Sequence, residues 1–308
     1  MTFSKKVVIL GSGPAACTAA IYAARASLEP LVFAGSSWGG QLMITTDVEN
    51  FPGFAEPILG PELMQRMKGQ CEKLGVKMIF EEAVRVDLGR RPFAIQAADG
   101  SEASTEALII ATGARAKLLG LESEKRLMGH GVSACATCDG PFFKGREVAV
   151  VGGGDTALEE ALFLARFSTR VTVIHRRDTL RASAAMIARA RRQPKIRFLW
   201  DNIVVDILGQ GDVHGLRLKN AKSGAMQDFA CQGLFVAIGH TPAVEFLAGQ
   251  LKLDALGFVE ADARARTSVS GVFAAGDVAD HRYRQAITAA GTGCIAALEA
   301  ERFLAGHE

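Results

Sequence analysis

Residues Val7–Arg25 read VVILGSGPAACTAAIYAAR, and residues Val148–Arg166 read VAVVGGGDTALEEALFLAR. In both, a short continuous apolar run leads into a glycine loop and then into an alanine-rich stretch. Apolar runs of this length suit parallel strands buried on both faces. The loops Gly11-Ser12-Gly13-Pro14-Ala15-Ala16 and Gly152-Gly153-Gly154-Asp155-Thr156-Ala157 both fit G-x-G-x-x-A between strand and helix. In that setting the first glycine permits a tight turn and the second lets a pyrophosphate approach the backbone. The alanine keeps the helix close to its strand, and the positive end of the helix dipole faces the anion. Ala16 stands where glycine is more usual, which the pattern tolerates. Two such units predict an α/β protein with two Rossmann-like three-layer nucleotide-binding domains, a count that suits 308 residues.

The ends of the second strands separate the two units. Leu31-Val32-Phe33 runs into Ala34-Gly35, where an acid that holds an adenosine ribose is expected, and Glu29 comes too early to replace it. Ribose recognition is therefore assigned to backbone or to the next loop. There Trp38-Gly39-Gly40-Gln41-Leu42 offers glycines for contact with a flat ring and the Gln41 amide as a donor. In the second unit Val171–Ile174 runs into His175-Arg176-Arg177, with Arg181 beyond. Arginines at this place accommodate a 2′-phosphate, so the spacing predicts NADPH. Arg189, Arg191 and Arg192 read as a solvated basic patch.

Between the units lies GVSACATCDGPFF, Gly131–Phe143, with Cys135 and Cys138 two residues apart and Asp139 adjacent. The pair alone fits half a zinc site, an inert bridge or a redox couple. A closed zinc site needs about four ligands, and no second pair exists among the six cysteines. No metal is expected. Near βαβ units the pair reads as redox-active, with Asp139 placed to move the proton that thiol–disulfide exchange requires. Cys17, Cys71, Cys231 and Cys294 read as small buried apolar residues.

The remaining pattern is an α/β one. A helix is expected over Pro61–Lys73, strands over Val84–Leu88 and Pro92–Ala97, and a buried strand Ala107–Ala111 that ends in Thr112-Gly113. Ile203–Phe229 reads as an antiparallel meander and Leu234–Gly239 as a final buried strand. Gly271–Asp277 is strand then turn, ending in an acid placed for a sugar hydroxyl, and Arg284–Phe303 reads as a helix whose N-terminus suits the electron-rich edge of a flavin. Charge is nearly balanced, 35 basic against 33 acidic residues, which implies neither nucleic acid nor an anionic membrane as partner. No apolar run approaches about 18 residues. The start, MTFSKKVVIL, has no signal-peptide layout, and a cytoplasmic location is expected.

The motifs GSGPAA, WGGQL, VENFPGF, ATGA, SACATCDG, GGGDTA, HRRD-x-x-R, AIGHTP, GVFAAGDV and YRQAITAAGTG together make the chain resemble the low-molecular-weight bacterial-type thioredoxin reductases along its whole length. The resemblance implies an FAD domain from residues 1–115 and 245–308, with an NADPH domain, 116–244, inserted. For FAD it implies Gly11, Gly13, Pro14, Ala15, Gly40, Gln41, Leu42, Asn50, Thr112, Gly113, Asp277, Arg284, Gln285 and Ala286. For NADPH it implies Gly152, Gly154, Asp155, Thr156, His175, Arg176, Arg177 and Arg181. Cys135 and Cys138 become the redox disulfide, Cys138 facing the flavin, Cys135 attacking thioredoxin and Asp139 serving as acid–base. A homodimer is implied, as is a rotation of one domain against the other, for which the two thin connections near Thr112–Leu118 and Gly239–Thr241 are the expected hinges. A flavoprotein serving another dithiol or a peroxiredoxin-type partner remains the alternative. The role of Pro141, where many relatives differ, stays open.

Overall fold

The computed structural model describes residues 2–45 and 47–306. The chain forms two compact units, one from residues up to Arg115 and from Thr241 onward, the other from Ala116 to His240. The first begins with β1 (Thr2–Leu10), α1 (Pro14–Arg25) and β2 (Leu31–Phe33). A small hairpin, β3 (Asp47–Val48) and β4 (Ile58–Leu59), precedes α2 (Gly60–Lys73) and β5 (Lys77–Ile79). Next come β6 (Ala83–Asp87), β7 (Phe93–Ala97) and β8 (Glu102–Ile110). The sheet runs β5-β2-β1-β8-β7-β6.

The apolar run of β1 explains its central place. Val7 and Ile9 join one buried cluster with the alanines of α1, while Val8 and Leu10 join another with Val86, Phe93 and Ile95 of β6 and β7. Alternate residues thus face opposite layers, and burial of both faces requires the apolar continuity seen in sequence. The strand is longer than that run: Thr2–Lys5 pair with Glu102–Thr105, and their mix of polar residues hid this extension.

β9 (Ala114–Ala116) carries the chain out of this unit. The inserted unit contains α3 (Glu122–Leu127), β10 (Val132–Ser133), α4 (Ala136–Asp139), β11 (Glu147–Val151), α5 (Asp155–Leu164) and β12 (Arg170–Ile174). It continues with α6 (Ala184–Arg192), β13 (Ile196–Leu199), β14 (Asn202–Leu208), β15 (Gly215–Asn220), β16 (Met226–Ala230) and β17 (Gly233–Val236). A parallel sheet runs β10-β17-β11-β12-β13, and β14-β15-β16 is the expected antiparallel meander. Neither α6 nor β13 was expected; Arg189, Arg191 and Arg192 lie on the exposed face of α6, while Ala190 is buried.

β18 (His240–Pro242) leads back, and β19 (Val272–Ala274) and α7 (Ala286–Leu304) complete the first unit, β19 pairing parallel to β8. Contacts return the chain at Thr241 where the sequence suggested 245. Ala243 N–H donates to Gly113 C=O at 3.0 Å, and Val244 packs on the cluster of Leu247 and Leu251. In the inserted unit Lys117 N–H donates to Gly239 C=O at 2.9 Å. Helix α7 starts at Ala286, two residues later than expected, because Arg284 takes a left-handed φ of 49° and Gln285 is extended. Among the described residues no helix is long and apolar enough to cross a membrane.

Candidate active site

Cys135 and Cys138 are joined as a disulfide at the start of α4, both half-buried. The short helix follows from local bonds. Cys135 is the extended N-cap residue, its N–H donates to Ser133 Oγ at 3.0 Å, and Cys138 N–H donates to Cys135 Sγ at 3.2 Å. Thr137 Oγ1 lies 3.4 Å from the same sulfur. Two polar groups therefore already face Cys135, an arrangement that favours a negative sulfur there. Asp139 ends the helix. Burial raises its carboxyl pKa above the ordinary value, against a lowering hydrogen bond with Ser133, and its Oδ1 is buried without a hydrogen-bond partner. A carboxyl so placed holds its proton more readily than a solvated one, as a proton donor beside a thiolate must.

The first glycine loop draws four segments of its unit together. Gly11 has a φ of 119°, and a Cβ there would overlap the Ala111 carbonyl, so the turn admits only glycine. Ser12 Oγ accepts from Gly39 N–H at 3.1 Å, which sets the Gly40–Leu42 turn beside Gly13. Gln41 Nε2 donates to Ala114 C=O at 3.3 Å, and Thr112 Oγ1 to Ala243 C=O at 2.7 Å. Asn50 Nδ2 donates to Gln285 Oε1 at 3.2 Å. Gly276 N–H donates to Thr292 Oγ1 at 2.9 Å, and Ala15 is so close to Gly276, in the turn after β19, and to Gly293 of α7 that a Cβ on either would collide with it. Asp277 is partly buried; desolvation, with Asp280 nearby, pushes its pKa up to about 6, with Arg284 opposing. Asp280 in turn accepts N–H bonds from Arg282, Tyr283 and Arg284. Trp38, by contrast, turns edge-on to Phe80, ring centres 6.0 Å apart.

The second loop is built alike. A Cβ on Gly152 would overlap the Ala237 carbonyl and one on Gly153 the His175 ring. His175 is 7% exposed, and burial lowers its pKa, so the positive charge here comes from Arg176, Arg177 and Arg181, all exposed. Arg181 N–H donates to Gly153 C=O at 2.7 Å. Asp155 Oδ1 accepts Ser183 N–H at 2.9 Å and Ser183 Oγ at 2.8 Å. The structure thus brings the arginine segment onto the glycine loop.

At Gly13 and Gly154 an added Cβ would touch no other atom, and neither α1 nor α5 has a side-chain cap on its first-turn N–H groups. Both helix starts therefore fit a phosphate group. Sequence reasoning passed over Ser12, Thr292, Asp280, Ser133 and Ser183. Ser12, Ser133 and Thr292 lay within motifs but were not singled out, and Asp280 and Ser183 lay outside them; what each one bonds is set by the fold and not by the motif pattern.

The sequence profile of the family described as "Pyridine nucleotide-disulphide oxidoreductase" matches residues 5–293. A thioredoxin reductase of Streptomyces coelicolor is 54% identical over 99% of this chain and 95% of its own length. A bifunctional thioredoxin reductase/thioredoxin of Mycobacterium leprae is 50% identical over 98% of this chain and 66% of its own. The solved thioredoxin reductase from Giardia duodenalis superposes with a TM-score of 0.94 at 44% identity, covering 98% of this chain and 99% of that one.

Proposed function

The chain belongs to the pyridine nucleotide-disulphide oxidoreductases, among the thioredoxin reductases, and from that premise we propose that it carries electrons from NADPH through FAD and the Cys135–Cys138 disulfide to oxidised thioredoxin. The observation that carries this reading is the disulfide flanked by Asp139, on the same unit as the second glycine loop. The M. leprae relative, named for both proteins, supports thioredoxin as the partner.

The first unit takes FAD. Gly11, Gly13, Pro14 and Ala15 would receive the pyrophosphate, and Gly40, Gln41, Leu42, Asn50, Thr112 and Gly113 would add further contacts to the cofactor. Asp277 would accept from a sugar hydroxyl, and Arg284, Gln285 and Ala286, at the start of α7, would hold the flavin. The inserted unit takes NADPH, with Gly152, Gly154, Asp155 and Thr156 at the pyrophosphate and His175, Arg176, Arg177 and Arg181 around the 2′-phosphate.

FAD held by the first unit and NADPH held by the second would together supply an electron pair to the Cys135–Cys138 disulfide. The Cys135–Cys138 bond breaks, leaving two reduced sulfurs, and Asp139 supplies a proton to one of them. Cys135 Sγ, held as a thiolate by the Cys138 N–H and the Thr137 hydroxyl, attacks a thioredoxin sulfur. A mixed disulfide forms, and the expelled thiolate takes the proton that Asp139 relays from the Cys138 thiol. Cys138 Sγ then displaces the second thioredoxin sulfur and re-forms the starting bond. The reading includes a homodimer in the cytoplasm and a rotation about residues 112–118 and 239–241 between the half-reactions.

The test is NADPH oxidation with and without oxidised thioredoxin, for the unaltered enzyme and for Cys135→Ser and Cys138→Ser. Both substitutions are expected to abolish thioredoxin-dependent turnover while flavin reduction by NADPH persists. Turnover that survives loss of either thiol would refute the disulfide path.

A further inference from the structure

The segment between β12 and α6 holds three arginines and, among them, the acid Asp178. By Coulomb's law alone Asp178 is poorly placed for a 2′-phosphate site: it cancels an arginine charge and repels the anion. The structure resolves this with a lysine 44 residues further along the chain. Lys222 Nζ lies 2.8 Å from Asp178 Oδ2 and 2.9 Å from Asp201 Oδ2. The partnership lowers the Asp178 pKa, chiefly through its hydrogen bond with Lys222, and raises that of Lys222. Among the described residues no ion pair is recorded on Arg176, Arg177 or Arg181.

The turn that presents Lys222, between β15 and β16, is firmly built. Asn220 Oδ1 accepts Lys222 N–H at 3.0 Å and Ser223 N–H at 2.8 Å, and Ala221 N–H donates to Asp201 C=O at 2.6 Å. On the other side, Asp155 is already engaged by Ser183. All three acids beside the arginine segment, Asp155, Asp178 and Asp201, thus already have partners.

We propose that Lys222 is a positioning residue for cofactor choice: by holding Asp178 and Asp201 it keeps Arg176, Arg177 and Arg181 uncompensated for a 2′-phosphate. The inference rests on the NADPH reading above and adds to it a determinant outside the arginine motif.

The test measures calorimetric affinity of the flavin-loaded enzyme for adenosine 2′,5′-bisphosphate and for AMP at low salt, alongside kcat/KM for NADPH and NADH. In Lys222→Met, bisphosphate affinity is expected to fall about three- to tenfold, the scale of one or two partly screened surface charges. AMP affinity is expected to hold within about twofold. Lys222→Arg should retain the preference, and adding Asp178→Asn to Lys222→Met should restore most of it. An unchanged ratio of the two affinities in Lys222→Met would overturn the proposal. So would equal weakening of both ligands, or a double variant as weak as the single one, since either outcome makes Lys222 a support of the fold only. If the unaltered enzyme bound both ligands equally, the NADPH reading would fall, and the clamp with it.

Discussion

Asp139→Asn tests the chemistry at one atom pair. Oδ1 of Asp139 is buried without a partner, and burial raises the carboxyl pKa. Asparagine has the same shape and carries no charge to desolvate, so the substitution should leave the fold intact. The linkage sign follows from the raised pKa. Between the unfolded and folded pKa values the native state binds more protons than the unfolded one, so this group makes stability fall as pH rises through that window. Asp139→Asn removes that loss and should be no less stable than the unaltered enzyme above the folded pKa. Catalysis should respond the other way. Without a group that can give and take the proton, thioredoxin-dependent turnover should drop about 10²- to 10⁴-fold, the usual worth of a positioned acid–base group. Stopped-flow reduction of the flavin by NADPH, upstream of Asp139, should stay within about twofold, since the lost acid–base term does not enter that step. A variant whose thioredoxin turnover lies within about threefold of normal, well below that range, would refute the assignment.

Three further outcomes can be checked directly. Gly11→Ala forces a Cβ into the Ala111 carbonyl at a φ of 119°; it should cost about 2–5 kcal/mol and yield protein with little flavin absorbance per chain. Gly153→Ala presses on the buried His175 ring and should raise KM for NADPH about tenfold or more, a cost of at least 1.4 kcal/mol, with flavin content unchanged. Asp277, whose pKa is pushed up to about 6, binds more protons in the native state below that value. Flavin-free protein should therefore lose stability as pH rises from about 4 to 6, and Asp277→Asn should flatten this slope in thermal melts.

The parts of the fold that were legible in sequence are those where one short-range rule decides the structure. A strand buried on both faces must be apolar throughout, and a loop that approaches a carbonyl must be glycine, so both nucleotide loops and their strands could be read from Val7–Arg25 and Val148–Arg166. The meander was legible through its alternation. Helix α6 was not, since only Met186, Ile187 and Ala190 pack inward beside three arginines, and in β13 Arg197 interrupts the apolar run. Asp155 illustrates the limit at the site: the motif places it at a phosphate, while its bonds to Ser183 depend on a loop that returns from beyond β12. Lys222 was invisible for the same reason, because nothing in a turn sequence tells which distant acid it meets.

The two bonds at the crossings, Ala243 to Gly113 and Lys117 to Gly239, bear on how the gene can be cut. In each unit the residues at the break are one hydrogen bond apart, so each nearly closes on itself as a ring. Joining Gly113 to Ala243 through a short linker would make the first unit a continuous polypeptide. Joining Gly239 to Lys117 would let the second be opened at any exposed loop as a circular permutant. The same adjacency gives an insertion of this kind a simple genetic origin: a whole module can enter a loop whose ends already touch without parting the strands on either side.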